Sequence, residues 1–304
     1  MSAAATFRHC SPTSNPGQRT TPGRRPFLAP SFSPPPIPRL NILVLQLKRI
    51  GDLILTFPAM AALREGQPEA EITLVTAGAA SGLAELAPGV DRHLGYRKGR
   101  LNFAIWRKLV AQHFDLCLDF TGNDRSALMA KLSGARQRVT YEKLANKKSW
   151  RRGIYHTLSG ASVRELHTLD YHHALLEAAG VDARPQGLSI SIPDRAAKTA
   201  QELCPHEPFA VVHAGSAREE KYWPANRWAE VIDQLDVPVV LTGADDPFER
   251  RHLDAIKAAA GHDLVDLAGR LSLVELTAVI ARSELALGVD SAAMHLAACL
   301  EIPQ

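Results

Sequence analysis

From Leu40 onward, short apolar runs alternate with stretches of helical period, which is how a parallel sheet covered by helices is written in sequence. The clearest strands are NILVLQL (41–47), EITLVT (71–76) and DLCLDF (115–120), with helical stretches near 53–65, 101–113 and 124–133. Residues 141–167 are basic, contain Trp and Tyr and show weak periodicity, so they are expected to form an irregular insertion over a cleft. A helix near 168–179 and the Pro/Gly-marked passage VDARPQG precede a second set of strands: FAVVHAG (209–215), PVVLTG (238–243), DLVDL (263–267) and ELALGVD (284–290). This restart implies an α/β chain with two doubly wound, Rossmann-like domains, 40–180 and 181–304, facing a central cleft at the carboxyl ends of their strands.

Residues 1–39 break the pattern. They hold nine prolines, five arginines (Arg8, Arg19, Arg24, Arg25, Arg39) and no acid, and are expected to be a disordered tail. Their composition fits a transit peptide no better than it fits a start codon placed too far upstream. The net charge of +3 resides there, since the rest of the chain has 30 basic against 32 acidic residues. A basic nucleic-acid binder is therefore excluded for the body. No apolar run reaches the roughly 18 residues of a membrane-spanning helix. Four scattered cysteines (Cys10, Cys117, Cys204, Cys299) without C-x-x-C spacing argue against a zinc site or disulfide framework and fit a reducing cytoplasm. The chain stops at ACLEIPQ directly after a helix, and a further strand is expected beyond it.

The candidate chemistry lies at strand ends. The first strand runs into LKRIGDLILTFPA, where Asp52 stands either as a helix N-cap or as a general base, and Lys48 and Arg49 either bind an anionic acceptor or are simply solvated. In HAGSAREEKYWPANRW, Gly215 and Ser216 allow backbone N–H groups to approach a phosphate and Lys221 adds a positive charge. The alternatives are an exposed loop lysine, with Trp223 and Trp228 as helix packing. Asp245 and Asp246 in LTGADDPFERRH follow a strand, where a carboxylate either accepts from ribose hydroxyls or caps the next helix. The strongest local feature is GVDSAAMHLAACLEIP: Asp290 ends a strand, and Ser291 and Ala292 open a helix whose N–H groups can hold a diphosphate. His295, one turn in, reads by itself as a structural histidine. The chain lacks G-x-G-x-x-G, a Walker loop and H-E-x-x-H, and it also lacks D-x-D, the usual metal-holding pair of many sugar transferases, so no metal is expected.

Taken together, the IGD turn, HAGSAREEKYWPANRW, DLAGRLSLVELTAVIARSELALGVD and SAAMHLAA resemble, in order and spacing, glycosyltransferase family 9, the bacterial lipopolysaccharide heptosyltransferases. The similarity runs from about Asn41 to the last residue, which makes this a C-terminally truncated member. LDFTGNDR and the KRIGDLILT opening look closest to the heptosyltransferase III subgroup. The resemblance implies a GT-B architecture, with an acceptor on the first domain, ADP-heptose on the second, and inverting transfer of heptose to the lipopolysaccharide inner core. It implies Asp52 as base, Lys48 and Arg49 toward the acceptor, and Ser216, Lys221, Asp245, Asp290, Ser291, Ala292 and His295 toward the donor. Ala292 and Ala293 stand where many relatives have Gly and Pro.

No cofactor besides the donor substrate, no nucleic acid and no obligate protein partner are implied. A lipid-linked oligosaccharide acceptor places the enzyme in the cytoplasm, peripheral to the inner face of the cytoplasmic membrane. The basic run Lys143, Lys147, Lys148, Arg151, Arg152 either meets the acceptor's anions or is a solvated loop. The alternatives are a GT-B transferase using another nucleotide sugar and an inactive nucleotide- or saccharide-binding relative.

Overall fold

The computed structural model describes residues 39–184, 187, 190–204, 206–216 and 218–304. The tail expected to be disordered lies outside the described residues, save Arg39. Among the described residues, ten strands form two wholly parallel sheets. The first contains β1 (Asn41–Gln46), β2 (Glu71–Ala77), β3 (Arg92–Tyr96), β4 (Leu116–Asp119), β5 (Gln137–Tyr141) and β6 (Thr157–Ser159), in the order β3-β2-β1-β4-β5-β6. The second contains β7 (Ala210–His213), β8 (Val239–Leu241), β9 (Val265–Asp266) and β10 (Leu285–Gly288), in the order β10-β7-β8-β9. In each sheet the strand order reverses once, between β1 and β4 and between β7 and β10. The carboxyl ends flanking such a reversal are where open α/β sheets bind ligands.

Among the described residues, twelve helices cover the sheets. In chain order they are α1 (Ile50–Ile54), α2 (Phe57–Gly66), α3 (Phe103–Ala111), α4 (Asp124–Leu132), α5 (Glu142–Ala145), α6 (Ser149–Arg152), α7 (Thr168–Ala178), α8 (Asp194–Leu203), α9 (Ala225–Ile232), α10 (Pro247–Ala259), α11 (Leu273–Arg282) and α12 (Ala292–Cys299). A 3-10 segment runs over Gly78–Leu86. None of the described helices is long and apolar enough to cross a membrane.

The apolar residues of β1 divide between two faces because successive side chains alternate. Ile42 and Val44 join a core with Leu53, Phe57 and Leu83, whereas Leu43 and Leu45 join one with Ile105, Leu109 and Ala145. The first core does not stop at the first sheet: Val211, Val279, Ala293 and Leu296 of the second half belong to the same buried body. The last residues run beside β10, with the Pro303 carbonyl accepting from Ala286 N–H at 2.9 Å.

Two expected elements differ. The helix expected over 53–65 is two helices, because Thr56 Oγ1 donates to the Asp52 carbonyl (2.7 Å) while accepting from Gln46 Nε2 (2.7 Å), and Pro58 opens the second. The supposed irregular insertion of 141–167 holds α5, α6 and β6, and β6 extends the sheet by pairing with β5. Its short elements are too brief to display a period. β3, β5, α8 and α11 are not marked by the sequence pattern either. Cys117 is buried and packs in the sheet interior.

Candidate functional site

The loop after β1 lies at the strand-order reversal of the first sheet. Leu47 N–H donates to Thr121 Oγ1 (2.7 Å), which ties this loop to the one after β4. Arg49, not Asp52, is the N-cap residue of α1. Asp52 stands at the third helical position, where Oδ2 accepts from the Arg49 amide (3.3 Å) and lies 3.6 Å from its Nε. The carboxylate is thus half-buried and oriented from one side, while the Arg49 guanidinium is exposed. Lys48 is half-buried near His172. That imidazole is pushed down to about 3, by burial first and the Lys48 charge second, so it is neutral where Tyr141 Oη meets its Nδ1 at 2.8 Å.

LDFTGNDR builds the neighbouring loop. Asp119 is fully buried; its Oδ1 accepts from the Thr121 and Gly122 amides (2.8 and 2.9 Å) and its Oδ2 from Tyr155 Oη (2.5 Å). Burial raises this carboxyl's pKa above its ordinary value, against the lowering effect of those bonds. Gly122 has φ +61°, and a Cβ there would stand 2.6 Å from Leu144 Cβ, so glycine is required twice over. Asn123 caps α4 through the Arg125 and Ser126 amides. Asp124 pairs with Lys148 and Arg151, and Arg151 also donates to the Gly122 carbonyl at 2.8 Å. Lys148 and Arg151 of the basic run therefore brace this loop; Arg151 is buried, so the solvated-loop reading fails for it, while Lys148 stays exposed.

In the second half, Gly215 and Ser216 follow β7, and Lys221 sits in a short 3-10 turn, Glu219–Lys221. Lys221 Nζ bonds both the Asp290 carboxylate and the Asp290 carbonyl, the latter at 3.3 Å. This donated bond, ahead of the charges of Lys221, His295 and Arg218, holds the exposed Asp290 carboxyl below the usual range. Gly288 is required because a Cβ would lie 2.8 Å from the His213 carbonyl. A pocket of about 510 Å³ opens between these loops, lined by Lys221, Trp223, Trp228, Gly288, Val289 and Asp290. The tryptophans meet edge to face, with ring centroids 5.3 Å apart. Trp228 is buried against the sheet as helix packing requires, but both rings also line the pocket, a role their sequence context did not show.

Ser291 is the N-cap residue of α12, yet its hydroxyl bonds no amide of the first turn. Asp246 differs: it caps α10 through Phe248 N–H (2.9 Å) and Glu249 N–H (3.2 Å). This separates the two carboxylates that sequence could not, leaving Asp245 beside Gly269 in the loop after β9. Ser291 Oγ is buried with no hydrogen-bond partner. An uncapped helix start with an unsatisfied hydroxyl is suited to an anion, because its amides point outward along the helix dipole.

Glu249 was not foreseen. Its buried carboxylate accepts from Ala244 N–H (3.0 Å) and underlies both glycine loops; a Cβ at Gly215 or Gly243 would collide with it. Burial, more than the nearby Asp246 charge, raises its pKa above the ordinary value, despite the Ala244 bond. No motif marks it, since position 249 reads as an ordinary first-turn glutamate.

Gly51 joins the two loop sets. A Cβ built there would lie 2.8 Å from His295 Cδ2 and 3.2 Å from Nε2, so α1 and α12 touch through a glycine and an imidazole. Asp52 directly follows Gly51, and the Ser291 carbonyl accepts from His295 N–H (3.4 Å), so both residues flank this contact. The described residues hold no group of three or more His, Cys, Asp or Glu able to bind a metal ion.

Comparison with known proteins identifies the fold and the family. Lipopolysaccharide heptosyltransferase 3 of Escherichia coli is 24% identical over 272 residues, covering 83% of this chain and 78% of that protein. The crystal structure of the glycosyltransferase family 9 protein from Veillonella parvula DSM 2008 superposes with a TM-score of 0.77 at 24% identity, covering 87% of this chain and 79% of that one. E. coli heptosyltransferase WaaC with ADP gives a TM-score of 0.70 at 18% identity, over 87% and 86% of the two chains. The architecture is the two-sheet GT-B fold of those structures. Residues 102–304 match the family described as glycosyltransferase family 9 (heptosyltransferase), so this chain belongs to that family of sugar-transferring enzymes.

Proposed function

We propose that this enzyme moves heptose from ADP-heptose to the inner core of lipopolysaccharide by a single inverting displacement, with residues 40–180 receiving the acceptor and 181–304 the donor. The observation that supports it most directly is the Gly51–His295 contact, which brings the helix carrying Asp52 against the helix that opens, uncapped, at Ser291. Asp52 takes the proton of an acceptor hydroxyl, and the resulting oxygen attacks the anomeric carbon. The bond from that carbon to the diphosphate breaks, and ADP leaves with the electron pair. Charge growing on the leaving diphosphate is met by Lys221 and by the amides following Ser291, donors in place before the reaction. Ser216 adds a backbone amide, Asp245 accepts from the ribose, and Asp290 keeps Lys221 aimed at the pocket. Ala292 adds one methyl group where a glycine would allow closer approach.

Lys48 and Arg49 face the acceptor's anionic groups. The acceptor is lipid-linked, and the enzyme works at the cytoplasmic face of the inner membrane. ADP as the carrier fits a fold shared with a heptosyltransferase solved with ADP. Metal independence is part of the reading, because Lys221 and a helix start supply the charge that a D-x-D-bound metal would supply.

The test is ADP release from ADP-heptose in the presence of truncated core acceptors. Asp52→Ala should lower turnover by about 10²- to 10⁴-fold while ADP affinity stays as in the wild type, and EDTA should leave the wild-type rate unchanged. Near-normal turnover of Asp52→Ala, or a rate abolished by EDTA and restored by a divalent cation, would overturn the corresponding step.

A further inference from the structure

The end of β3 and the helix after it present a surface that neither sheet uses. α3 buries Ile105 and Leu109 against the first sheet. Its opposite stripe, Phe103, Arg107 and Val110, points outward, with Phe103 73% and Val110 59% exposed; Leu101, just before the helix, is 74% exposed. Isolated exposed apolar side chains are ordinary, but Phe103 and Val110, two turns apart on one stripe, with Leu101 in the lead-in, make a patch. Between Arg92 and Asp115 the chain has no carboxylate, while Arg97, Lys98, Arg100, Arg107 and Lys108 are all exposed.

The patch also has a direction. All six strands of the first sheet are parallel, so the loop 97–102 lies along the same carboxyl edge as the Asp52 loop. α5 and α6 stand on the same face of that sheet as α3, and there Lys143, Lys147 and Arg152 are exposed around Trp150, which is 47% exposed. Arg125 of α4 lies between, its guanidinium 4.8 Å from the Tyr96 ring centroid. The acid in this second segment, Glu142, accepts a long bond from Asn146 (3.4 Å).

We propose that Leu101, Phe103 and Val110, with the surrounding Arg97, Lys98, Arg100, Arg107 and Lys108, dock the enzyme on the surface of an anionic lipid bilayer, with Trp150 and the α5–α6 lysines as a second contact. A helix whose outer stripe is apolar and whose flanks are uniformly basic matches an interface of acyl chains beneath negative headgroups. Cationic side chains bend toward the headgroups while their stems and the apolar residues enter the boundary. A nucleic-acid partner would use the charges but not require three large apolar side chains beside them. Docked this way, the carboxyl edge of the first sheet meets the membrane, so a lipid-anchored saccharide reaches the Asp52 loop without leaving its bilayer.

The experiment is flotation of the full chain with phosphatidylcholine vesicles and with vesicles also containing phosphatidylglycerol, without sugar donor or acceptor. The wild type should float with the anionic vesicles only, and the Leu101→Glu/Phe103→Glu double variant should partition roughly tenfold or more weakly. Arg97→Ala/Lys98→Ala/Arg100→Ala, a milder surface change, should also weaken partitioning and should do so most at low salt. Wild-type affinity for ADP in both variants shows that the fold is kept, and it separates failure of docking from failure of the transferase reading. No flotation of the wild type, equal flotation with neutral vesicles, or flotation undiminished in folded variants would overturn the proposal.

Discussion

Gly51→Ala tests the join between the two halves with a single methyl group. That methyl would stand 2.8 Å from His295 Cδ2. Carbon atoms pack best at about 3.5–4.0 Å, so the imidazole must retreat by about 0.7 Å or more. His295 is one turn from Ser291 on α12, and the retreat either tilts the helix start that receives the diphosphate or widens the gap between it and Asp52. A displacement near 1 Å between reacting groups costs up to about 10²-fold in rate, so kcat/KM should fall by roughly 10- to 100-fold. Stability should not follow, because Gly51 lies within α1 and alanine favours a helix over glycine by about 1 kcal/mol. Initial-rate ADP release should be read beside thermal melting in wild type, Gly51→Ala, His295→Ala and the double variant. Once His295 is alanine the added methyl has room, so Gly51→Ala should cost little in that background. Wild-type kcat/KM in Gly51→Ala, or the same loss with and without the imidazole, would refute the contact as the element that sets the two halves in register.

Three further outcomes follow from other contacts. Lys221→Ala removes the cation held between Asp290 and the pocket; losing a charge-assisted bond worth about 2 kcal/mol, ADP affinity measured by calorimetry should fall roughly 30-fold. Tyr155→Phe leaves one oxygen of the buried Asp119 without its donor, and urea unfolding should show a loss of about 2 kcal/mol. Glu249 has a raised pKa in the folded state, so its contribution is fully present below the ordinary glutamate value and is lost as pH rises through the folded one. Glu249→Gln keeps the acceptor oxygen without the charge; its melting temperature should exceed the wild type's at neutral pH and converge with it in acid.

The strands legible in the sequence were the long apolar ones. β1, β2 and β7 are buried on both faces and read as unbroken runs, whereas β3 (RHLGY) and β6 (TLS) carry polar residues at sheet edges and look like loop. α8 was hidden for a related reason: DRAAKTAQEL buries only Ala196 and Ala200, too little apolar surface to mark a period. In the site, Lys221, Asp290 and Ser291 could be named because loops at strand ends repeat a local chemistry. Asp245 and Asp246 could not be told apart, because capping is decided by which side chain meets the Phe248 and Glu249 amides. Glu249 and the Asp119–Tyr155 pair stayed invisible since their meaning comes from partners distant along the backbone or from the space beneath a glycine. The Gly51–His295 contact spans most of the chain, and a turn glycine in IGD gives no sign of an imidazole against it.

The apolar body running from Phe57 and Leu83 to Val279 and Leu296 has a consequence for how the molecule comes apart. Two sheets that share one oily interior cannot melt as independent beads on a string. Heat or urea should dissolve both in one cooperative event, and a void opened under α12 by trimming Leu296 should loosen the acidic turn after β1, although the two belong to different sheets. The same continuity limits opening of the gap to small sliding of packed helices, and a wide swing about a linker would tear that interior.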